Sequence, residues 1–537
     1  MAGSVDVPAG EAAVARHGGR SLALAVLCVV VFLTFLDNTV VSVALGNVQT
    51  ELHAGVAGLQ WVVGAYALTF AGAMLGFGMV GDEFGRKRVM VIGIVIFCAG
   101  SIVSAEASSI GVLIAGRAIM GFGAAASEPG TLSMIRHIFT DERSRAWALA
   151  VWTSVTGVAL AMGPVIGGAL VGEWDWRAIF WFNLIVGAIA LFGVLVVLPE
   201  NADPDAHRVD TAGVAFGVVA LVAAAVAVIL AENSGYGSAR VIALLCVSVV
   251  TVIAFFWWEA RAAHPLLDLR FIRVPSFAVA NVVAFCAYFA TFAVFFFTAL
   301  YLEEVGGYSG YRIALIFLPM MVLLAAAALL AGRSTVVIGP RWTIFTGCLL
   351  FALGLLLTSF TISPHPAYLL LAGALSLTGI GVGATVVPAT SSALSAVPPE
   401  RSGMAASTTN TSREIGAVAG VAVLGALVSA RLSSYIATRI HALGLPKSID
   451  QIVINGVETG YVPSVGHANG AGATAGQLTY YREVIQAVYN AFESGLHAAL
   501  YLAAALVLVA GVFSFFWLGR KQAGEAESAA AQVTSAV

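Results

Sequence analysis

Asp37 stands inside "LTFLDNTVVSVAL" (33–45), within an apolar run from Ser21 to Gly46. A charged side chain at the centre of a membrane-spanning helix costs about 2.5–3.5 kcal/mol on insertion scales, so an acid that survives there has a structural or functional reason. Arg117 supplies one. Asp37 lies nine residues before the outer end of its run and Arg117 seven after the outer start of its own, and at about 1.5 Å of rise per residue the two reach similar depths. A carboxylate held between burial and a neighbouring cation can bind or release a proton as its surroundings change. That is the chemistry of a proton carrier; a fixed structural ion pair is the alternative.

Glu128 follows Arg117 by eleven residues, which returns it to nearly the same helical face about 16 Å nearer the cytoplasm. It suits a second proton site or a contact for a cationic substrate, or it pairs with a loop arginine at the inner end of its helix. In "NTSREIGAVAG", Arg413 and Glu414 fall near mid-membrane and point about 100° apart, so they cannot satisfy each other across one face. Arg413 fits a structural or coupling role and Glu414 a protonation or substrate role, with plain packing as the competing reading for both. Phe285, Tyr288, Phe292, Phe295 and Phe296 make an aromatic stripe. Tyr288, Phe292 and Phe295 are its candidates for a substrate cavity, stacking on flat lipophilic or cationic molecules, unless the stripe is lipid-facing bulk.

These residues need a membrane scaffold, and the composition provides one. Of 537 residues 60% are hydrophobic and 10% charged, with a mean hydropathy of +0.94, which marks an all-α polytopic membrane protein. At about 20 apolar residues per crossing the chain predicts fourteen transmembrane helices. It divides into a tail 1–20, a six-helix bundle 21–198, a linker with two extra helices 199–260, a second six-helix bundle 261–518 and a tail 519–537. A long outer loop, 431–491, carries the Gly-rich "GHANGAGATAGQ" and a surface helix near 478–490. Basic residues crowd the segments on the side of the N-terminus, while the short loops opposite hold Arg177, Arg240 and Arg312; this places both termini in the cytoplasm of a bacterial cell membrane.

A repeat divides the chain. "GMVGDEFGRKRVMVIG" (78–93) and "GRSTVVIGPRWTIFTG" (332–347) align Gly78, Gly85 and Gly93 with Gly332, Gly339 and Gly347, while Val336 replaces Asp82. A duplicated six-helix unit with two inserted helices is the architecture expected of a transporter that rocks one half against the other. In the first copy Gly81 and Gly85 permit a tight reversal, and Asp82 can pair with Arg86. In helix 5, Gly163 and Gly167 form a small-x-x-x-small face, with Pro164 bending the helix between them and Gly168 beside it.

The "GDEFGRKR" loop resembles the signature of the major facilitator superfamily. That likeness implies a cytoplasmic latch between the halves made by Gly81, Asp82, Gly85, Arg86 and Lys87. "FLDNTVVSVAL", "LQWVVGAYALT", "LIAGRAIMGFGAA", "GPVIGG" and "WRAIFWFNL" look, in that order, like the motifs of the fourteen-span drug:proton antiporters of the EmrB/QacA type. The resemblance covers about residues 30–430 and implies the major facilitator fold. It makes Gly163, Pro164, Gly167 and Gly168 the antiporter motif. Two residues after Asn183, Ile185 stands where the family often has proline, which implies a local change in helix 6.

Absences complete the reading. No G-x-x-x-x-G-K-[ST] loop, H-E-x-x-H, Cys/His cluster or G-x-S-x-G elbow occurs, so neither ATP, metal, cofactor nor enzymatic catalysis is expected. The net charge of −3 points to no nucleic-acid partner. The expected partners are the lipid bilayer, protons and a small-molecule substrate, and the expected state is a monomer. The function expected is proton-coupled efflux of hydrophobic or cationic drugs. The alternatives are export of one endogenous metabolite, antibiotic, lipid or peptide, and a non-transporting receptor or scaffold.

Overall fold

The computed structural model describes residues 17–518 apart from 55, 201–209, 235–236, 263–264, 266, 309, 399–400 and 443–474. Most of the N-terminal tail, most of the 199–210 linker, the Gly-rich part of the outer loop and the C-terminal tail therefore lie outside the described residues. Fourteen long helices account for most of the rest. They are α1 (His17–Val40), α2 (Val56–Phe84), α3 (Arg86–Ala105), α4 (Ile110–Ile138), α5 (Glu142–Glu173), α6 (Ala178–Val197), α7 (Thr211–Ser234) and α8 (Ala239–Glu259). The second half holds α9 (Pro275–Glu304), α10 (Gly310–Ile338), α11 (Pro340–Thr361), α12 (Tyr368–Ser395), α13 (Ser402–Ala442) and α14 (Ala475–Trp517). Ten are long and apolar enough to cross a bilayer unaided, and up to twelve qualify if α2 and α5, each bent, count as single spans.

The packing repeats with an offset of eight helices. In the first half α3 packs on α4, α2 on α4, α1 on α5, α3 on α6 and α1 on α6; the second half pairs α11 with α12, α10 with α12, α9 with α13, α11 with α14 and α9 with α14. The contacts between halves obey the same symmetry: α5 meets α10 and α2 meets α13. The repeated glycines explain the match. Gly85 and Gly339 cap α3 and α11 at φ of 101° and 83°, a region open to glycine. A Cβ on Gly93 would come within 2.7 Å of the Gly123 carbonyl of α4, and one on Gly347 within 2.9 Å of the Ala384 backbone of α12, so each helix pair packs backbone to backbone. The inserted pair α7 and α8 attaches sideways, with Val214 and Val218 of α7 seated over Gly76 and Gly72 of α2.

At one end of the bundle, here the basic end, the two halves share a core. Phe277, Ala280, Ala393, Leu394, Val397 and Met404 of the second half belong to the apolar cluster of the first, whereas the main core of the second half draws on residues 279–510 alone. Arg136 of α4 donates to the Leu394 carbonyl and, at 2.7 Å, to that of Val397. Leu394 is in the last turn of α12 and Val397 just beyond it, where a cation is favoured.

Helix α13 has 41 residues and α14 has 43, about 60 Å or more each, against a hydrocarbon core of about 30 Å. They shorten the outer loop from both sides, and the surface helix expected near 478–490 is the first stretch of α14. At the far end of the first half, Arg177 reaches Glu51 at 2.6 Å and the Ala107 carbonyl at 3.1 Å, while Trp176 donates to the other Glu51 oxygen at 2.7 Å. Three connecting segments are thereby clamped together. Those donors hold the Glu51 carboxyl below the usual glutamate range, so its contribution is present above that range and lost as pH falls through the lowered value. The Glu51→Gln variant should melt at a lower temperature than the native protein at neutral pH, and the difference should shrink as pH falls below the usual glutamate range, as read by thermal denaturation in detergent.

Candidate functional site

In the last turn of α1, Asp37 has no solvent exposure. Arg117 of α4 donates to Oδ2, and Asn183 of α6 donates from Nδ2 to Oδ1 at 2.6 Å. The guanidinium is itself held: Nε donates to the Val62 carbonyl at 3.1 Å, and its carbon lies 4.5 Å from the centre of the Tyr66 ring, whose hydroxyl donates to the Thr34 carbonyl at 2.9 Å. The carboxylate thus ties three helices together, and α2 orients its arginine.

The antiporter motif sits directly beside it. Helix α5 turns by 40° between Leu160 and Val165, the stretch that contains Gly163 and Pro164. Proline has no N–H and leaves the carbonyl four residues earlier without a helical partner. That carbonyl belongs to Leu160, and the Thr39 hydroxyl of α1 donates to it at 3.0 Å. A Cβ on Gly163 would fall 1.9 Å from the Thr39 oxygen, and one on Gly167 2.8 Å from the Val40 carbonyl. Gly168 points elsewhere, with open space beyond it. Two glycines of the motif therefore bring α5 against α1 two residues from Asp37.

A second cluster forms where α4 of one half crosses α13 of the other. Asn410 donates from Nδ2 to Glu128 Oε2 at 2.6 Å, and its Oδ1 accepts from Arg413 Nη1 at 3.1 Å. The other arm of Arg413 donates to the Thr390 hydroxyl of α12. The guanidinium carbon lies 5.4 Å from the ring centres of both Trp152 (α5) and Tyr288 (α9), close enough for cation–π attraction. Glu414, adjacent in sequence, is 4% exposed, Glu128 1% and Arg413 2%. Among the described residues, Glu128 Oε1 and Arg413 Nε have no hydrogen-bond partner. Trp152 links the clusters, since its indole packs edge to face with Phe35 and donates to Thr131 at 3.0 Å.

The aromatic stripe divides. Tyr288 faces Arg413; Phe295 stacks on Phe317 of α10 with centroids 4.8 Å apart; Phe296 is exposed; and the Phe292 side chain lies outside the described residues. A groove of about 590 Å³ lined by Leu170, Trp174, Trp181 and Ile185 is on the outside of α5 and α6 and touches none of these charges.

In the "GDEFGRKR" loop Arg86 pairs with Asp82 at 2.7 Å, and Lys87 donates to the Leu195 and Leu198 carbonyls at 2.8 and 2.7 Å, closing the end of α6. These partners all belong to the first half. Hydrogen bonds that cross between the halves at this end include those of Arg136 and of Arg145, whose Nη2 lies 3.4 Å from Ser395. Sequence reasoning missed Asn183, Asn410, Trp152 and Thr390 as partners. A lone Asn within an otherwise apolar helix is the signal that could have exposed Asn183, whereas Asn410 is masked by the polar run around it, STTNTSRE.

Two helical bundles that enclose buried charge on their common axis are the build of a secondary transporter. The model of the Major Facilitator Superfamily matches residues 27–421, and the chain belongs to that family: it is a multi-pass membrane transporter and not an enzyme. It is 32% identical over 489 residues to the multidrug resistance protein Stp of Mycobacterium tuberculosis, covering 91% of this chain and 90% of that one. It is likewise 32% identical over 405 residues to the methylenomycin A resistance protein of Bacillus subtilis, with 75% and 87% covered. Among solved structures, the human organic anion transporter MFSD10 superposes with a TM-score of 0.58 at 15% identity, covering 95% of this chain and 100% of that one, a likeness of fold.

The two loop glycines differ in what they tolerate. A Cβ on Gly81 would meet Arg86 Cγ at 3.8 Å, ordinary contact, whereas one on Gly85 would stand 2.5 Å from Glu200 Oε1 at a positive φ. The Gly85→Ala variant should lose about 1–3 kcal/mol of stability, whereas Gly81→Ala, inside α2 where alanine is favoured over glycine, should be neutral or stabilising by a few tenths, compared by the midpoints of thermal unfolding in detergent.

Proposed function

We propose that this protein exports hydrophobic or cationic drug-like molecules across a bacterial cell membrane in exchange for protons, with the basic end and both termini in the cytoplasm. One observation carries the reading. Among the described residues, the axis of the bundle buries three carboxylates, Asp37, Glu128 and Glu414, but two guanidiniums, Arg117 and Arg413. Asp37 and Arg117 neutralise each other. Glu128 and Glu414 share a single arginine, and a buried charge left uncompensated is costly enough that the site must take up a cation or a proton. A site that accepts either one, but has room in its charge balance for one, exchanges them.

The basic end is closed by the shared core and by Arg136, and the export reading takes the proton from the opposite compartment. A proton entering there down a potential of about 100 mV delivers about 2.3 kcal/mol, and swapping it for a monovalent cation at the same site is electrically neutral. The names of relatives such as Stp support a broad substrate range. The methylenomycin A resistance protein, named for one antibiotic, favours a second reading in which this chain exports one compound by the same machinery.

A dye-efflux and drug-susceptibility panel in a pump-deficient host, with and without a protonophore, tests the assignment. Native protein should lower dye accumulation in a protonophore-sensitive manner, and Asp37→Asn at normal expression should abolish that effect. Unchanged efflux in the variant would remove Asp37 from the mechanism, and a panel in which a single compound is transported would decide for the dedicated exporter.

A further inference from the structure

We propose that Asn410 is a relay through which Arg413 in the second half senses whether Glu128 in the first half carries a proton. The proposal rests on the proton-exchange reading for its purpose, and on hydrogen-bond polarity for its mechanism. Arginine can only donate, so Arg413 Nη1, at 3.1 Å, compels the Asn410 amide to present its oxygen. The NH₂ group must then face Glu128, at 2.6 Å from Oε2, and it requires an acceptor there. The orientation of the amide is thus set by the arginine and not by choice of assignment.

An ionised Glu128 meets that requirement with a charge-assisted bond. One proton arriving from water turns the carboxylate into a carboxyl, and no other covalent bond changes. If the proton sits on Oε2, donor faces donor and the bond to Asn410 is lost. If it sits on Oε1, which has no partner among the described residues, the bond loses its charge assistance. Should the amide rotate to accept from the new O–H, its NH₂ turns toward the guanidinium and the Oδ1 bond to Arg413 is lost instead. Every arrangement weakens the tie between α4 and α13, and the last frees Arg413 toward Thr390, Trp152 and Tyr288.

The groups that surround Glu128 leave this path uncrowded. Helix α13 brings Arg413 and Glu414, α9 brings Tyr288 and α2 brings Tyr66. Helix α1 contributes Asp37, already paired with Arg117; the charged residues of α3 are Arg86, Lys87 and Arg88, and those of α5 are Glu142, Arg143, Arg145 and Glu173, all near helix ends.

Infrared difference spectra of the purified protein in lipid, recorded across a pH step, test the relay without needing a substrate. The native protein should show a carboxyl band that disappears in Glu128→Gln, accompanied by a guanidinium component that disappears in Arg413→Lys. Asn410→Leu should keep the carboxyl band and lose the guanidinium component. Asn410→Ala, which also removes the amide and introduces no titratable group, should lose the component as well, and it stands in if the leucine variant does not fold. Asn410→Gln, which retains the amide, should restore it. A guanidinium response that persists in Asn410→Leu or Asn410→Ala would overturn the relay, as would a native Glu128 band with no guanidinium change. Failure of the export reading would appear elsewhere, as native efflux insensitive to a protonophore.

Discussion

An ion inside a lipid-embedded bundle must be answered by an opposite charge, a proton or water, because the surrounding hydrocarbon offers nothing in return. Much of the central architecture follows from that demand. Asp37 is answered within its own half by Arg117 and Asn183. To lie against α1 beside that carboxylate, α5 surrenders a helical hydrogen bond at Pro164, and α1 replaces it with Thr39. Glu128 is answered across the boundary between halves by Asn410, which Arg413 holds from its own helix. One acid is therefore bound up with the shape of a bundle and the others with the relation between two bundles.

Duplication gives that division its mechanical meaning. The same glycine-capped turn and the same backbone-close helix pair occur in both halves, so each moves as a unit built on one plan. The copies have diverged where charge matters. Asp82 and Arg86 hold the first turn, while the second has Val336 and Pro340 in their places. The cytoplasmic tie assigned by resemblance to the "GDEFGRKR" loop has a neighbour in Arg136, which fastens the carbonyl end of α12 from the opposite half.

Much of this was legible in the residues themselves. Apolar runs, the repeat at Gly78 and Gly332 and the ordered motifs announced a major facilitator fold, because membrane insertion leaves composition little freedom. The depth of Asp37 and Arg117 could be counted along their helices, since rise per residue is fixed. The face of Glu128 could be counted too, but not the partner opposite it, for that depends on how two distant segments of chain are rotated against each other. Asn410, 282 positions away, has no sequence relation to Glu128. The aromatic stripe failed to act as one surface for a related reason: successive turns of α9 face different neighbours, Arg413 at Tyr288 and α10 at Phe295.

The length of α13 and α14 has a practical side. Packed against each other and each about twice as long as the hydrocarbon is thick, they carry ordered backbone past the headgroups, where most polytopic proteins of this size offer only short loops. Particles embedded in a detergent or nanodisc belt are hard to orient because the belt hides their features. A rod rising from one face breaks that pseudo-symmetry, giving electron micrographs a built-in marker of which way up the molecule lies.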